Sequence, residues 1–200
     1  MKVKAVLWAV TLFAGMMMFV ACAGQKGPAE LALKSAEEAI NATRAEAEKY
    51  VPDQMAGLDS ALAAVKEKLA KGEYKAVVTE AQSLAAQAKN VLDAAMAKKD
   101  ELKKNWEELS QGIPGMLAAI QGKVDRLSKS IKLPADLSAE KFEQAKASFA
   151  GVKEEWTKAL ENFKTGNFAE AVSMANSVKA KATETMGLLG ITTASAGTKT

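Results

Sequence analysis

The sequence contains no histidine and only one cysteine, so the side chains most often used for acid–base catalysis and metal binding are largely missing. A single cysteine also excludes a disulfide within the chain. No glycine-rich phosphate loop, Cys-x-x-Cys or Gly-x-Ser-x-Gly motif occurs. We therefore expect a protein that is not an enzyme, with no catalytic residues, no cofactor and no metal.

The first 22 residues form a distinct segment. Lys2 and Lys4 precede an uncharged, mostly apolar run from Ala5 to Cys22, which is typical of a secretory signal peptide. Its last four residues, Phe19-Val20-Ala21-Cys22, resemble the signal of bacterial lipoproteins, in which the cysteine thiol is acylated and the chain is cleaved just before it. The resemblance implies a signal peptide over 1–21, lipidation at Cys22 and a polar tether over 22–27.

An uncleaved anchor is the alternative interpretation of this run, because about 18 to 20 apolar residues can span a bilayer. The sole cysteine lies at the end of the apolar run, and this position favours the lipoprotein. In Gram-negative sorting, which this signal resembles, the Ala23 that follows the cysteine implies the outer membrane rather than inner-membrane retention. The expected location is therefore the bacterial cell envelope, lipid-anchored and facing the periplasm.

The charge is nearly balanced. Removing Lys2 and Lys4 with the leader lowers the formal net charge from +3 to about +1. Nucleic-acid binding requires a concentrated basic face, so we expect no nucleic-acid partner. The membrane, through Cys22, and an envelope protein of unknown identity are the expected partners.

Apolar residues recur at alternating three- and four-residue spacings through most of the remaining chain, which predicts an all-α fold of amphipathic helices. Six helices are predicted: 28–49, 53–70, 73–110, 114–131, one beginning at Ser138 and one beginning after Asn167. The stripe weakens between Met96 and Glu101, where a bend or an exposed overhang is expected. The segment Gln111–Gly115 predicts a helix stop, because it combines glycine and proline.

The predicted helix termini carry specific capping residues. Ser138 is a good N-cap followed by Glu140 in the first turn. Asn167, with Glu170 three residues on, is close to a capping box. The stretch after residue 189 is rich in glycine, threonine, serine and alanine, so a flexible tail is predicted over 190–200.

An internal repeat is predicted from two matching segments. Residues 71–78 align with residues 165–172 at an offset of 94, and the apolar positions of the preceding helices follow the same offset. The sequence thus predicts an elongated helical bundle of two pseudo-repeated three-helix units, 28–110 and 113–189.

The two aligned turns resemble the corner of tetratricopeptide repeats, in which glycine, a polar residue and an aromatic residue join antiparallel helices. Gly72-Glu73-Tyr74 with Ala76, and Gly166-Asn167-Phe168 with Ala171, carry this resemblance. The mature region as a whole resembles alanine-rich, helical-repeat lipoproteins of the bacterial envelope. This resemblance implies a periplasm-facing interaction or structural module.

Three groups of residues are candidate sites, and each also has a structural explanation. Trp106 and Trp156 lie in apolar positions, where core packing is favoured over ligand stacking, most clearly for Trp156. The adjacent pairs Glu37-Glu38, Glu107-Glu108 and Glu154-Glu155 point about 100° apart on a helix and lack the facing geometry of catalytic carboxylates. The mixed-sign cluster 98–104 indicates a solvated helix surface rather than a lipid or glycan site.

The sequence therefore predicts a non-catalytic, lipid-anchored module that binds or scaffolds an envelope protein or glycan. A carrier that holds a lipid or another apolar molecule between helices is the alternative, suggested by the aromatic residues of the helix beginning at Ser138. An enzyme is the third and least favoured hypothesis.

Overall fold

A computed structural model describes residues 25–191. Within this range the chain is helical without any strand, so the predicted all-α class is confirmed. It forms five helices: α1 (Lys26–Tyr50), α2 (Pro52–Ala70), α3 (Tyr74–Ser128), α4 (Ala139–Lys164) and α5 (Phe168–Leu188). The predicted signal peptide, Cys22 and the end of the predicted tail, 192–200, lie outside the described residues.

The chain divides into two compact units between Lys98 and Lys99. The first unit contains α1, α2 and the beginning of α3, and α1 packs against α2. The second contains the remainder of α3 with α4 and α5, and α4 packs against α5. The division lies within the stretch in which charged residues interrupt the apolar stripe of α3.

The core of the first unit is formed by the predicted apolar stripes. In α1 the stripe is buried throughout: Leu33, Ala36, Ile40, Thr43, Ala47 and Tyr50. The alanines of this stripe are fully buried, and small side chains allow helices to approach closely. The one polar member, Thr43, donates from Oγ1 to the Ala39 carbonyl at 2.9 Å, and the Ala88 carbonyl of α3 lies 3.2 Å away. A buried hydroxyl is thus satisfied where α1 meets α3.

The core of the second unit is also formed by the predicted apolar stripes, with larger side chains. On α4 the predicted stripe is buried at Phe142, Ala145, Phe149, Val152 and Ala159. On α5 it is buried at Ala171, Ala175, Val178, Ala182 and Met186. Ser138 caps α4 as predicted, since its side chain accepts a hydrogen bond from the Lys141 backbone N–H at 3.3 Å.

The predicted helix stop at Gln111–Gly115 is wrong, because α3 continues through it with Pro114 inside the helix. The apolar stripe explains this result. Buried residues continue at helical spacing on both sides of the proline, at Leu102, Trp106, Leu109, Ile113, Ile120 and Leu127. Burial of this unbroken stripe outweighs the local cost of proline, which is about 3 kcal/mol in a helix interior. The six predicted helices are consequently five.

Two smaller predictions also fail. The helix predicted over 114–131 extends too far, because α3 ends at Ser128 and the side chain of Ile131, the last residue of that range, is fully exposed. Asn167 is the N-cap residue of α5, yet its side chain caps no backbone N–H. The Asn167 amide instead donates toward Asn162 Oδ1 at 3.4 Å and Thr165 Oγ1 at 3.3 Å, so no capping box forms.

The two glycine corners have the same backbone geometry. Gly72 and Gly166 have φ values of 78° and 79°, in the left-handed region that glycine adopts without a Cβ penalty. At the first corner Gly72 N–H donates to the Leu69 carbonyl and Glu73 N–H to the Lys68 carbonyl, both at 3.0 Å. At the second corner Gly166 N–H donates to the Phe163 carbonyl at 3.0 Å, and Asn167 N–H donates to the Asn162 carbonyl at 2.8 Å. Both corners are therefore Schellman motifs, and every participating residue is related by the offset of 94.

Candidate binding site

The predicted lipidation residue, Cys22, lies outside the described residues, and its acylation stays a prediction. The described chain begins at Gln25, immediately before α1. Gln25 borders an open cavity of about 650 Å³ at the Gly72 corner, lined also by Tyr74, Lys75 and Glu80. The start of the described chain and this corner therefore lie at the same end of the first unit.

Four aromatic side chains form a cluster in the second unit, here called the aromatic cluster: Trp106, Trp156, Phe163 and Phe168. The Trp106 ring stacks on Phe163 with centroids 4.5 Å apart and planes at 7°, and on Trp156 with centroids 5.4 Å apart and planes at 15°. Phe163 contacts Phe168 at 5.0 Å with the planes tilted by 52°. The cluster thus joins α3, α4 and α5 through ring contacts of favourable geometry.

The two tryptophans differ in burial, and the expected order is reversed. Trp106 is buried, with 6% of its surface exposed, whereas Trp156 is half-buried. Trp106 is surrounded because it lies on the central stripe of α3, between the rings contributed by α4. Trp156 lies at the edge of the α4 stripe, beside the fully buried Val152 and Ala159. Core packing therefore describes Trp106 better than Trp156.

An open cleft of about 550 Å³ adjoins the aromatic cluster, and we call it the aromatic cleft. Trp106 and the half-buried Phe163 provide its apolar floor. The rim comes from one face of α3, at spacings of three and four residues: Asp100, Lys103, Lys104, Glu107 and Ser110. An apolar floor with several polar groups around it is the usual composition of a ligand site.

Lys103 connects the rim of the aromatic cleft to the cluster. Its Nζ lies 5.4 Å from the centroid of the Phe168 ring, within the range of a cation–π interaction. The 98–104 segment, predicted to be a solvated surface, thus contributes part of a cleft. Phe163 is not among the candidate site residues predicted from the sequence, and Lys103 is predicted there only as part of the solvated 98–104 surface. The sequence does contain a signal for Phe163. At the offset of 94 it occupies the position of the aliphatic Leu69, so the second unit has an aromatic ring where the first has none.

In two of the three adjacent glutamate pairs, Glu37-Glu38 and Glu154-Glu155, the carboxylates form ion pairs with different lysines. Glu37 pairs with Lys66 of α2 at 2.7 Å, whereas Glu155 pairs with Lys181 of α5. Glu154 pairs with Lys158 one turn along α4 at 2.6 Å, and this hydrogen bond lowers the pKa of Glu154 below its usual range. A lowered pKa keeps the carboxylate ionised, which is the opposite of what a general acid requires.

The strongest ion pair of the first unit joins α1 and α2. Arg44 donates to both carboxylate oxygens of Asp59, at 2.6 and 3.0 Å, and also contacts Glu48 at 3.1 Å. The bidentate hydrogen bond from Arg44 lowers the pKa of Asp59. A second inter-helix pair joins Lys68 to Glu80, and this hydrogen bond raises the pKa of Lys68. These partly exposed pairs link neighbouring helices of the first unit.

Within residues 25–191 no cluster of three or more histidine, cysteine, aspartate or glutamate side chains is arranged to hold a metal ion. None of the helices in the same range is long and apolar enough to cross a membrane. Compared with known proteins, the sequence matches no family model, no curated protein and no solved structure. The functional interpretation consequently rests on the residues and geometry of this chain.

Proposed function

We propose that the protein is a lipid-anchored, periplasm-facing envelope lipoprotein that acts as a non-catalytic binding or scaffolding module. The observation that carries the binding role is the aromatic cleft of the second unit, with its floor of Trp106 and Phe163. Its rim alternates in charge, with Lys103 and Lys104 between Asp100 and Glu107. Such a rim suits a polypeptide segment with charges of both signs better than a uniformly charged ligand.

The proposed anchor is Cys22, which would hold the body close to the membrane. Three residues lie between Cys22 and the first residue of α1, Lys26, and the four Cα–Cα steps span at most about 14 Å when extended. Acyl chains on Cys22 would contribute about 0.8 kcal/mol for each buried CH₂ group. The end of the first unit that contains Gln25 would then face the lipid, and Ala23 favours the outer membrane.

We further propose that the two units arose as a repeat with an offset of 94. The coincident glycine corners support this, as does the burial pattern of the helices around them. Fully buried Val77, Ala81 and Ala88 correspond to fully buried Ala171, Ala175 and Ala182. In this scheme 99–128 takes the place of α1 as the first helical segment of its unit, although the offset of 94 does not extend to it, and the two units have a common plan with different surfaces.

The anchor is tested by Cys22→Ala, which should abolish acyl labelling and membrane retention. Ala23→Ser is the matched control and should leave both unchanged. Ala23→Asp should move the labelled protein from the outer to the inner membrane. If Cys22→Ala fractionates with membranes as the parent chain does, the apolar run is an uncleaved anchor and the lipoprotein proposal is wrong.

The binding role is tested by site-specific photo-crosslinking in cells. A crosslinker that replaces Ser110, on the cleft rim, should capture one or a few partners. The same group at the exposed Ser83 of α3 should capture none of them. The double variant Trp156→Leu, Phe163→Leu introduces the residues found at the matching positions of the first unit, and it should remove the crosslinks from position 110. Crosslinks that persist in this variant would exclude the aromatic cleft as the binding site.

The carrier hypothesis makes a different prediction, that purified protein contains an apolar ligand visible by native mass spectrometry. The ring stack argues against it, because Trp106 lies only 4.5 and 5.4 Å from its two neighbouring rings and leaves no space for a ligand between them. A protein mass without ligand would agree with the scaffold, whereas a stoichiometric lipid would favour the carrier.

A further inference from the structure

The loop between α3 and α4, residues 129–138, presents an apolar side chain directly to solvent. Three large apolar side chains in the described chain are exposed, and Ile131 is the extreme case, at 108% against 70% for Leu31 and 53% for Met96. An isoleucine with this exposure makes no packing contact with its own chain. Its apolar surface is therefore available to an external partner.

The α3–α4 loop is held at both ends, so that Ile131 projects from a defined position. On the α3 side, the backbone N–H of Ser130 donates to the Leu127 carbonyl at 3.1 Å. On the α4 side, the Leu137 N–H donates to the Pro134 carbonyl at 3.1 Å, and the Leu137 side chain is buried with 6% exposure. The loop is thus held on both sides of Ile131, and we call residues 129–134 the tip.

The tip is positively charged. The stretch 126–134 contains no carboxylate and three exposed cations: Arg126, Lys129 and Lys132. The carboxylates nearest in sequence are Asp125, which accepts a hydrogen bond from Gln121 at 2.8 Å, and Asp136. Ile131 therefore lies between two lysines, without a carboxylate next to them in sequence.

We propose that the α3–α4 loop is a membrane-contact site that inserts Ile131 into the interface of an anionic bilayer while Lys129 and Lys132 contact lipid phosphates. An apolar residue flanked by cations combines burial in the acyl boundary with attraction to anionic headgroups. A protein interface would require a patch of several hundred Å², whereas this tip offers one apolar side chain among charges. The contact is independent of Cys22 and lies in the second unit, at the C-terminal end of α3.

The test uses the full chain with Cys22→Ala, so that an introduced cysteine is the only thiol. A small polar fluorophore is attached at Ser130→Cys, which leaves Ile131 intact, and its quenching by nitroxide-labelled lipid is measured. Phosphatidylcholine vesicles with and without phosphatidylglycerol are compared. The control label is at Ser173→Cys, an exposed position on α5. Ser173 is roughly 20 Å along the helix from Gly187, the end of α5 that borders the loop.

Quenching at position 130 should exceed quenching at position 173 and should depend on phosphatidylglycerol. Lys129→Glu with Lys132→Glu should weaken vesicle binding of the tip at least about thirtyfold, as expected for the loss of two interfacial cations worth about 1 kcal/mol each. Ile131→Ser should reduce the quenching at position 130 and leave the control label unchanged.

Three results would overturn the proposal: equal quenching of the two labels, equal quenching in both vesicle types, or no effect of Ile131→Ser. If position 130 crosslinks to a protein in cells and no vesicle quenches its label, the tip binds an acidic protein and the membrane proposal is wrong. None of these results changes the outcome of the Cys22→Ala acylation test.

Discussion

Replacing Pro114 with alanine tests whether α3 is continuous through the unexpected proline. Pro114 has no N–H to donate to the carbonyl of Ser110, and its ring crowds the same carbonyl. A proline in a helix interior costs about 3 kcal/mol relative to alanine. Alanine has more freedom in the unfolded chain, which offsets about 0.4–1 kcal/mol of the gain. We therefore expect Pro114→Ala to raise the free energy of unfolding by about 2 kcal/mol.

Urea denaturation followed by far-ultraviolet circular dichroism and tryptophan fluorescence measures this change. For an m-value of about 2 kcal/mol/M, the midpoint should rise by about 1 M. Pro52→Ala is the matched control, since Pro52 occupies the first turn of α2, where its missing N–H has no helical acceptor. It should leave the protein unchanged or less stable by under about 1 kcal/mol. If Pro114→Ala does not stabilise the protein, α3 is not continuous at residue 114.

Three further predictions concern the first unit. Gly72→Ala should destabilise the protein by about 1–2 kcal/mol, because φ at this position is +78°. Gly57→Ala should stabilise it by about 0.5–1 kcal/mol, because Gly57 lies inside α2 with open space where a Cβ would be. Paired urea titrations would show opposite signs for the two changes in stability. Thr43→Val should cost about 1 kcal/mol through its lost buried hydrogen bond, and equal stability would contradict that role. The hydrogen bond from Arg44 lowers the pKa of Asp59 in the folded protein. The stabilisation that this pair gives the folded state is therefore present above the pKa of Asp59 in the unfolded chain, and it is lost as the pH falls through its pKa in the folded protein. Asp59→Asn should therefore flatten the pH dependence of stability below about pH 4, and an unchanged acid limb would argue against the pair.

Helical periodicity predicted most of the fold because it reports directly on which side chains are buried. The stripe of α1 from Leu33 to Tyr50 and that of α5 from Ala171 to Met186 are buried as predicted. The glycine corners were also predictable, because only glycine adopts their positive φ without strain. These features depend on local chemistry and on a period of 3.6 residues, both of which can be read from a single sequence.

The features that the sequence did not predict depend on a balance between distant contacts. The predicted helix stop at Pro114 is wrong, because it considers only the local cost of proline in a helix. Burial of the apolar stripe through Ile113 and Ile120 outweighs that cost. The aromatic cleft was missed for a similar reason. Periodicity places Trp106 and Phe163 on the inward faces of their helices, but it does not show that their rings meet or that a cleft opens beside them.

The two units carry different side chains at three positions related by the offset of 94. The positions occupied by Leu62, Leu69 and Tyr74 in the first unit hold Trp156, Phe163 and Phe168 in the second. All six are half-buried, whereas the fully buried positions of both units hold alanine, valine, isoleucine, leucine, methionine and threonine. A half-buried position tolerates a larger ring because the ring can extend along the surface without overpacking the core. At two of these positions an aromatic residue stands where the first unit has leucine, and at the third both units have an aromatic residue. The exchanges therefore change half-buried side chains at the surface of the second unit. This difference in half-buried side chains is the basis of the proposal that the second unit carries the binding surface.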